Sequence, residues 1–209
     1  MYSETIKIQK RYNRYARFYD ISEFLVEIRL FHRLRRETLG NIEGKILEIG
    51  VGTGKNLSYY NSNVEITAID FSQKMLEKAK ERAKNLDINA KFYLMDAQSL
   101  KFKDNSFDYV IGTFVLCSIP DPVKAASEMK RVVKKNGKII LVEHVLSKYW
   151  PIALWENIHN PVTKRLFGFN VNRDTKQNII KSGLHVNKDE RLAFFDVFRR
   201  FTCTKSLRR

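Results

Sequence analysis

Cysteine is scarce: Cys117 and Cys203 are the only two in 209 residues. Two thiols build no disulfide framework, and Cys117 sits in an apolar run where it reads as a small buried hydrophobe. A reducing, cytoplasmic compartment is therefore expected. Four prolines and nine glycines leave no room for a long flexible linker, and no internal repeat or low-complexity tract breaks the chain. An apolar leader is missing too, since "MYSETIKIQKRYNRYARFYD" is polar and basic where a signal peptide would be hydrophobic. The longest apolar run, "YVIGTFVLCSIP", is too short to span a bilayer. Acidic residues are in deficit, 23 against 38 Lys and Arg, for a net charge of +15. That surplus favours anionic partners such as nucleic acid or acidic lipid surfaces, without choosing between them.

What is present is an alternation. "KILEIG" (45–50), "VEITAID" (64–70), "AKFYLMD" (90–96), "FDYVIGT" (107–113) and "KIILVEH" (138–144) read as buried parallel strands. Between them, a short helix from Gly54 is expected, then one over 72–86 with Ser72 as N-cap and Met75, Leu76, Ala79 and Ala83 inward. A third runs over 121–137, from Pro122 at the first helical position to an Asn-Gly C-cap. Repeated β-α-β units predict an α/β, Rossmann-like, doubly wound and mostly parallel seven-stranded sheet, closed by a helix over 173–183 and two strands within 185–204. One domain covers 1–209: a helical N-terminal lid (1–43), a core (44–146), an aromatic insertion after the fifth strand (147–172) and the closing elements (173–209).

The chemistry starts at "KILEIGVGTGKN", where Gly50, Gly52 and Gly54 follow the first strand. A strand, a glycine turn and a helix start form the nucleotide-holding corner of α/β proteins. Asp70 ends the second strand, sixteen residues past Gly54, placed to accept both hydroxyls of a ribose; it could equally serve only the start of the next helix. Dinucleotide binders space their glycines G-x-G-x-x-G, beneath a pyrophosphate. Here the run is G-x-G-x-G, with Glu48 two residues ahead. A carboxylate there would repel a phosphate but suits an ammonium or sulfonium centre, which points to S-adenosylmethionine.

"LEIGVGTGKN", "ITAIDFSQKMLEKAKERA" and "MDAQSLKFKDNSFDYVIGTFVLCSIPDP" together resemble the class I S-adenosylmethionine-dependent methyltransferases, over about residues 11–185. "RYARFYD", "VLCSIPDP", "LVEH" and "GFNVNRDT" resemble the branch holding ubiquinone/menaquinone C-methyltransferases, soluble phosphatidylethanolamine N-methyltransferases and related thiol methyltransferases. The resemblance implies that Glu48 and the backbone of Gly50, Gly52 and Gly54 hold the methionine part of the cofactor. It implies ribose at Asp70, adenine beside Phe71 and against Asp96 and Ala97, and the methyl-transfer position beside Thr113 and Phe114. Tyr12 and Tyr19 match aromatic positions of an N-terminal lid, Tyr19 toward the cofactor and Tyr12 toward the acceptor. No metal is implied.

His144, ending the fifth strand at the ligand edge, is the candidate base if the acceptor arrives protonated. His159 with Asn160, and Asn172 with Arg173, are weaker candidates for touching the acceptor. Base-modifying relatives carry Asn or Asp before Pro-Pro-aromatic after the fourth strand; "TFVLCSIPD" lacks it, and no RNA-binding module is visible, so nucleic acid is not expected. In "FLVEIRLFHRLRR", Phe24, Leu25, Ile28, Phe31 and Leu34 share one face, and Arg29, Arg33 and Arg36 another. Such a helix can rest on an anionic membrane at the inner face of the bilayer, or cover the sheet with a solvated back. Trp150 and Trp155 would add an apolar lid over a long-tailed acceptor. A lipid-like acceptor, amine headgroup or quinone ring, is the leading expectation. A small soluble thiol, an NAD-using oxidoreductase and a non-catalytic S-adenosylmethionine-binding module are the alternatives.

Overall fold

The computed structural model describes residues 4–14, 16 and 31–205. Its centre is a seven-stranded sheet of order β3-β2-β1-β4-β5-β7-β6. The strands are β1 (Gly44–Ile49), β2 (Val64–Asp70), β3 (Ala90–Leu94), β4 (Phe107–Thr113), β5 (Val133–His144), β6 (His185–Ala193) and β7 (Phe198–Thr204). The first five run parallel, and β7 is antiparallel to both its neighbours. The helices are α1 (4–14), α2 (His32–Leu39), α3 (Gln73–Asn85), α4 (Pro122–Val132), α5 (Trp150–Leu166) and α6 (Thr175–Lys181). Strand order reverses between β1 and β4, which opens a crevice at their carboxyl ends.

Period-two alternation along β1 feeds two cores. Leu47 and Ile49 join Ala125, Ala126 and Met129 of α4. Ile46 faces the opposite way, toward Leu39 of α2 and Leu76 and Ala79 of α3. Glu48 follows Ile46 onto that second face, and this register places a carboxylate under α2. Ser72 Oγ caps α3 by accepting from the Met75 amide, and the four apolar residues expected inward are buried.

Three boundaries differ from expectation. The helix after Gly54 is only a 3-10 turn, Leu57–Tyr59. Helix α4 stops at Val132 rather than at Asn136-Gly137, because β-branched Val133 pairs with Phe107 in the sheet and is fully buried. The strand then passes an irregularity opposite Phe107–Tyr109 and continues to His144. The insertion is mostly one helix, α5, with Pro161 inside it. In α2, Phe31 and Leu34 are buried while Arg33 and Arg36 face solvent. That part of the proposed membrane helix therefore covers the domain, since Phe31 packs on Phe114 and Phe198. Phe24, Leu25, Ile28 and Arg29 lie outside the described residues. Among those described, no helix is long and apolar enough to cross a membrane, and no His/Cys/Asp/Glu group is arranged to hold a metal.

Glu143 is fully buried in β5. Its Oε1 accepts from the Val115 and Leu116 amides, pinning the loop that leaves β4. Burial pushes its carboxyl up to about 7, against the opposing pull of those amides. Such a group favours the folded state fully below the unfolded value near 4.3, and that contribution is lost as pH rises through about 7. The thermal midpoint should therefore fall between pH 5 and 8. Glu143→Gln, which keeps an acceptor for the two amides, should flatten that slope by up to about 3 kcal/mol. Melting curves of both proteins across this range check it, and parallel slopes would refute it.

Candidate functional site

Two clefts meet at Gly50. One, with an empty volume of about 400 Å³, runs past Asp70, Phe71, Asp96, Ala97, Gln98 and Ser118. The other, about 330 Å³, runs past Glu48, Gly52, Thr53, Asn56, Thr113 and Phe114. The ends of β1, β2, β3 and β4 thus bring together the core residues singled out from the motifs, except Gly54 and His144.

The three glycines do different things. A Cβ on Gly50 would come within 2.5 Å of the Val115 side chain, and one on Gly54 within 3.1 Å of the Ala79 backbone. These two answer to the protein's own packing against the β4 exit loop and α3. Gly52 has φ +56°, and a Cβ there would meet nothing within 4 Å. Only Gly52 opens onto unfilled space.

Asp70 organises the turn. Its Oδ2 accepts from the Gly52 amide at 2.9 Å and its Oδ1 from the Ser72 amide at 2.8 Å. One carboxylate thus joins the glycine loop to the start of α3. Burial raises its pKa to about 6, although backbone amides favour the charged form. Glu48 is buried likewise, and desolvation raises it to about 7. Its Oε1 accepts from Asn56 Nδ2 at 2.8 Å and its Oε2 from the Tyr60 hydroxyl at 3.0 Å. Asn56 also donates to Thr113 Oγ1 and accepts from the buried Arg35, so α2, the glycine turn and β4 share one polar network.

Helix α1 closes the Asp70 cleft. Tyr12 meets the Phe71 ring edge-on at 5.6 Å and its hydroxyl bonds Ser118. Gln9 donates to the Phe71 carbonyl, and Asn13 Oδ1 accepts from the Ser72 hydroxyl and the Lys74 amide. Tyr12 accordingly stands on the Phe71 side rather than among acceptor-side residues. Tyr19 lies outside the described residues. Asp96 accepts from the amide and side chain of Gln98, whose Oε1 accepts in turn from the Asp121 amide.

Beside Thr113, Phe114 adopts φ +56°, a costly conformation for a bulky residue. It packs on Phe31 at 4.7 Å and Phe198 at 5.7 Å, in an aromatic wall. His144 stands behind that wall, edge-on to Phe198, with Nε2 3.7 Å from Glu156 Oε1. It lines neither cleft. Burial lowers its pKa to about 4, so it is neutral at pH 7, while burial raises that of Glu156.

The insertion residues fall elsewhere than expected. His159 stacks on Trp155 at 4.2 Å, one helical turn away on the outer side of α5. Asn160 accepts from the Val171 amide, and Asn172 donates to Asn157. Arg173 donates to the Leu116 and Ile119 carbonyls, fastening the loop after β4. Trp150 and Trp155 are 75% and 56% exposed and line neither of the two clefts. The underlying reason is the register of α5, which turns Glu156 inward and the tryptophans out. Cys117 is buried, as its apolar neighbours implied, and so is Cys203.

Sequence reasoning missed Arg35, Asn56, Tyr60, Gln98 and Ser118. Asn56 and Gln98 ended motifs already singled out, "GTGKN" and "MDAQ". Arg35 and Tyr60 carried no local signal.

The family model described as a methyltransferase domain matches residues 47–141. The chain is 36% identical over 154 residues to a phosphatidylethanolamine N-methyltransferase of Cereibacter sphaeroides, covering 71% of this chain and 73% of that one. It is 32% identical to a ubiquinone/menaquinone biosynthesis C-methyltransferase of Rickettsia prowazekii (65% of this chain, 60% of that). It is also 32% identical to a thiol S-methyltransferase of Rattus norvegicus (67% and 59%). The fold matches a solved S-adenosylmethionine-dependent methyltransferase of Thermotoga maritima, described as a possible histamine N-methyltransferase, with a TM-score of 0.71, 20% identity, and 94% and 99% of the two chains covered. A methyltransferase-type sheet whose reversal point carries a glycine turn between two buried carboxylates agrees with these kinships: this chain belongs to the class I S-adenosylmethionine-dependent methyltransferases.

Proposed function

We propose that the protein transfers a methyl group from S-adenosylmethionine to an amphiphilic, lipid-like acceptor, a phospholipid amine headgroup or a quinone ring. The observation that carries this reading is the apolar wall at the end of β4. Phe31, Phe114 and Phe198 meet there. Phe31 and Phe114 border a small gap with apolar Leu34, Leu39 and Val142 and polar Arg35, Thr38, Asn56 and Thr113. Such a wall favours an apolar acceptor body over a polar metabolite. Relatives acting on lipid-like acceptors and one acting on thiols have similar identities, so the wall rather than kinship supports the choice.

Within that reading, the Asp70 cleft takes the adenosine half: ribose on Asp70, adenine between Phe71 and the Asp96–Ala97 edge, with Tyr12 closing over it. The open space at Gly52 lets the ligand cross the turn, and Glu48 with Asn56 receives the cationic methionine half. The empty Cβ direction of Gly52, between two buried carboxylates, fits an elongated ligand carrying hydroxyls at one end and positive charge at the other. When bound, the cofactor supplies a methyl group already activated on a sulfonium. The chain's own contribution is alignment and exclusion of water, through Thr113, Phe114 and the α1 lid. His144 stands behind the wall with its basicity lowered by burial, so within this reading it supports Phe198 and takes no proton from the acceptor.

Asp70→Ala should weaken cofactor binding by about 1–3 kcal/mol, from unpaired ribose hydroxyls. It should also lower the melting temperature, because the Gly52 and Ser72 amides lose their acceptor. Calorimetry on the folded variant measures the first effect, and unchanged affinity would refute the assignment. Gly52→Val puts its side chain into open space, with no protein atom within 4 Å of the new Cβ, but strains a turn at φ +56°. It should therefore abolish binding and lower the melting temperature, with binding measured on the variant shown folded by circular dichroism. A variant that still binds would show the turn to be structural only. For the acceptor, labelled S-adenosylmethionine is incubated with a membrane lipid extract or a thiol-containing soluble extract, and products are identified by mass. Label in a lipid is the expected result. Label only in soluble thiols, or no label despite cofactor binding, would overturn the proposal.

A further inference from the structure

Helix α5 is built inside out. Its buried residue is Glu156, 1% exposed, while Trp150, Leu154, Trp155, Ile158, Val162 and Leu166 are all more than half exposed. Five of these recur every four residues and so form a stripe along the helix. At the β6–β7 turn, Phe194 and Phe195 stand 63% and 72% exposed, both at positive φ. Tyr149 joins the turn to the helix, with its ring 5.5 Å from Phe195. An apolar, aromatic surface of this extent marks an interaction site rather than an ordinary solvated face.

Charge selects the occupant. Between 147 and 172 the sole acid is Glu156, which is turned inward, whereas Lys148, Lys164 and Arg165 are exposed. Arg191 adds another exposed cation near the phenylalanine turn. At the α1–α5 junction, Lys7, Arg11, Lys164, Arg165 and Arg173 line an open cleft with an empty volume of about 1180 Å³ against a single carboxylate, Glu4. Tryptophan and tyrosine beside exposed cations suit the headgroup boundary of an anionic bilayer. A second copy of the same cationic face would be repelled.

We infer that α5 and the Phe194–Phe195 turn form a membrane-docking face for an anionic lipid surface. Behind the face, Glu156 meets His144, His144 meets Phe198 and Phe198 meets Phe114. The docked helix is thus joined to the aromatic wall through Glu156 and His144, and the lipid-acceptor reading would bring the lipid to the wall from that side of the molecule. Only this direction of delivery rests on the lipid-acceptor reading; the face itself does not.

Trp150 and Trp155 are the only tryptophans in the chain, so intrinsic fluorescence reports on this face alone. The full-length protein is mixed at low salt with phosphatidylglycerol–phosphatidylcholine vesicles or with pure phosphatidylcholine vesicles. The anionic vesicles should shift the emission to the blue, and brominated acyl chains should quench it, both effects weakening at raised salt. Leu154→Glu with Phe195→Glu, at exposed positions, should reduce co-sedimentation at least about tenfold and leave cofactor affinity unchanged. Several results would overturn the inference. These are undiminished vesicle binding by the double variant, absence of quenching, emission already blue in vesicle-free monomer (the face covered by segment 17–30), or a vesicle-free dimer that Leu154→Glu dissolves. A protein that docks but methylates only thiols keeps the face and loses the lipid acceptor; one that methylates lipids without quenching does the reverse.

Discussion

The reversal of strand order between β1 and β4 is the constraint on which the site depends. To its left the chain winds through β2 and β3, and to its right through β5, so no crossover covers the carboxyl ends at the reversal. Everything chemical gathers there: the glycine turn from β1, Asp70 from β2, and Thr113 and Phe114 from β4. The pairing of Glu48 with Ile111, and of Ile49 with Gly112, puts the β1 and β4 exits side by side. A one-residue slip in β1 would move Glu48 to the α4 face and Leu47 under α2.

That crevice is held open by buried carboxylates supported largely by neutral donors. Asp70 rests on two backbone amides, Glu48 on Asn56 and Tyr60 with Arg35 nearby, and Glu143 on the two amides of the β4 exit loop. Each gains hydrogen bonds and pays in desolvation, and burial is the larger effect for all three, raising their pKa values. The arrangement leaves two buried carboxylates, Glu48 and Asp70, incompletely compensated beside the clefts. Glu143 lines neither cleft, yet it sets where Val115 stands, and a Cβ on Gly50 would run into Val115.

Two helices divide the surroundings of the site by opposite logic. Helix α2 buries one charge, Arg35, against Asn56, but otherwise follows the usual rule, with Leu34, Leu39 and its N-cap Phe31 inward and Arg33 and Arg36 in water. Arg33 pairs there with Glu37 at 2.6 Å, an exposed contact of little energetic weight. Helix α5 reverses the rule, burying Glu156 against Ser147 and His144 and exposing its tryptophans. Basic and apolar residues occur in both segments, and only their orientation separates a cover over the sheet from a surface looking for a partner.

The sequence by itself determined the α/β alternation, the first four strands to within two residues, the end of β5 though not its start, the presence but not the bounds of two closing strands, the capped α3 and the cofactor class. These are local signals, because periodicity, caps and a glycine run are written in consecutive residues. Helix α4 stops short because pairing of Val133 with Phe107 overrides a local cap. Tertiary structure alone decided that Gly50 and Gly54 answer to protein packing while Gly52 faces open space. It alone brought Arg35 to Asn56 and Tyr60 to Glu48, and set His144 behind an aromatic wall rather than in a cleft. It also sent Trp150, Trp155 and His159 outward, although composition had suggested a lid. In each case the deciding quantity is which way a side chain points once distant segments have packed, and no run of neighbouring residues encodes that.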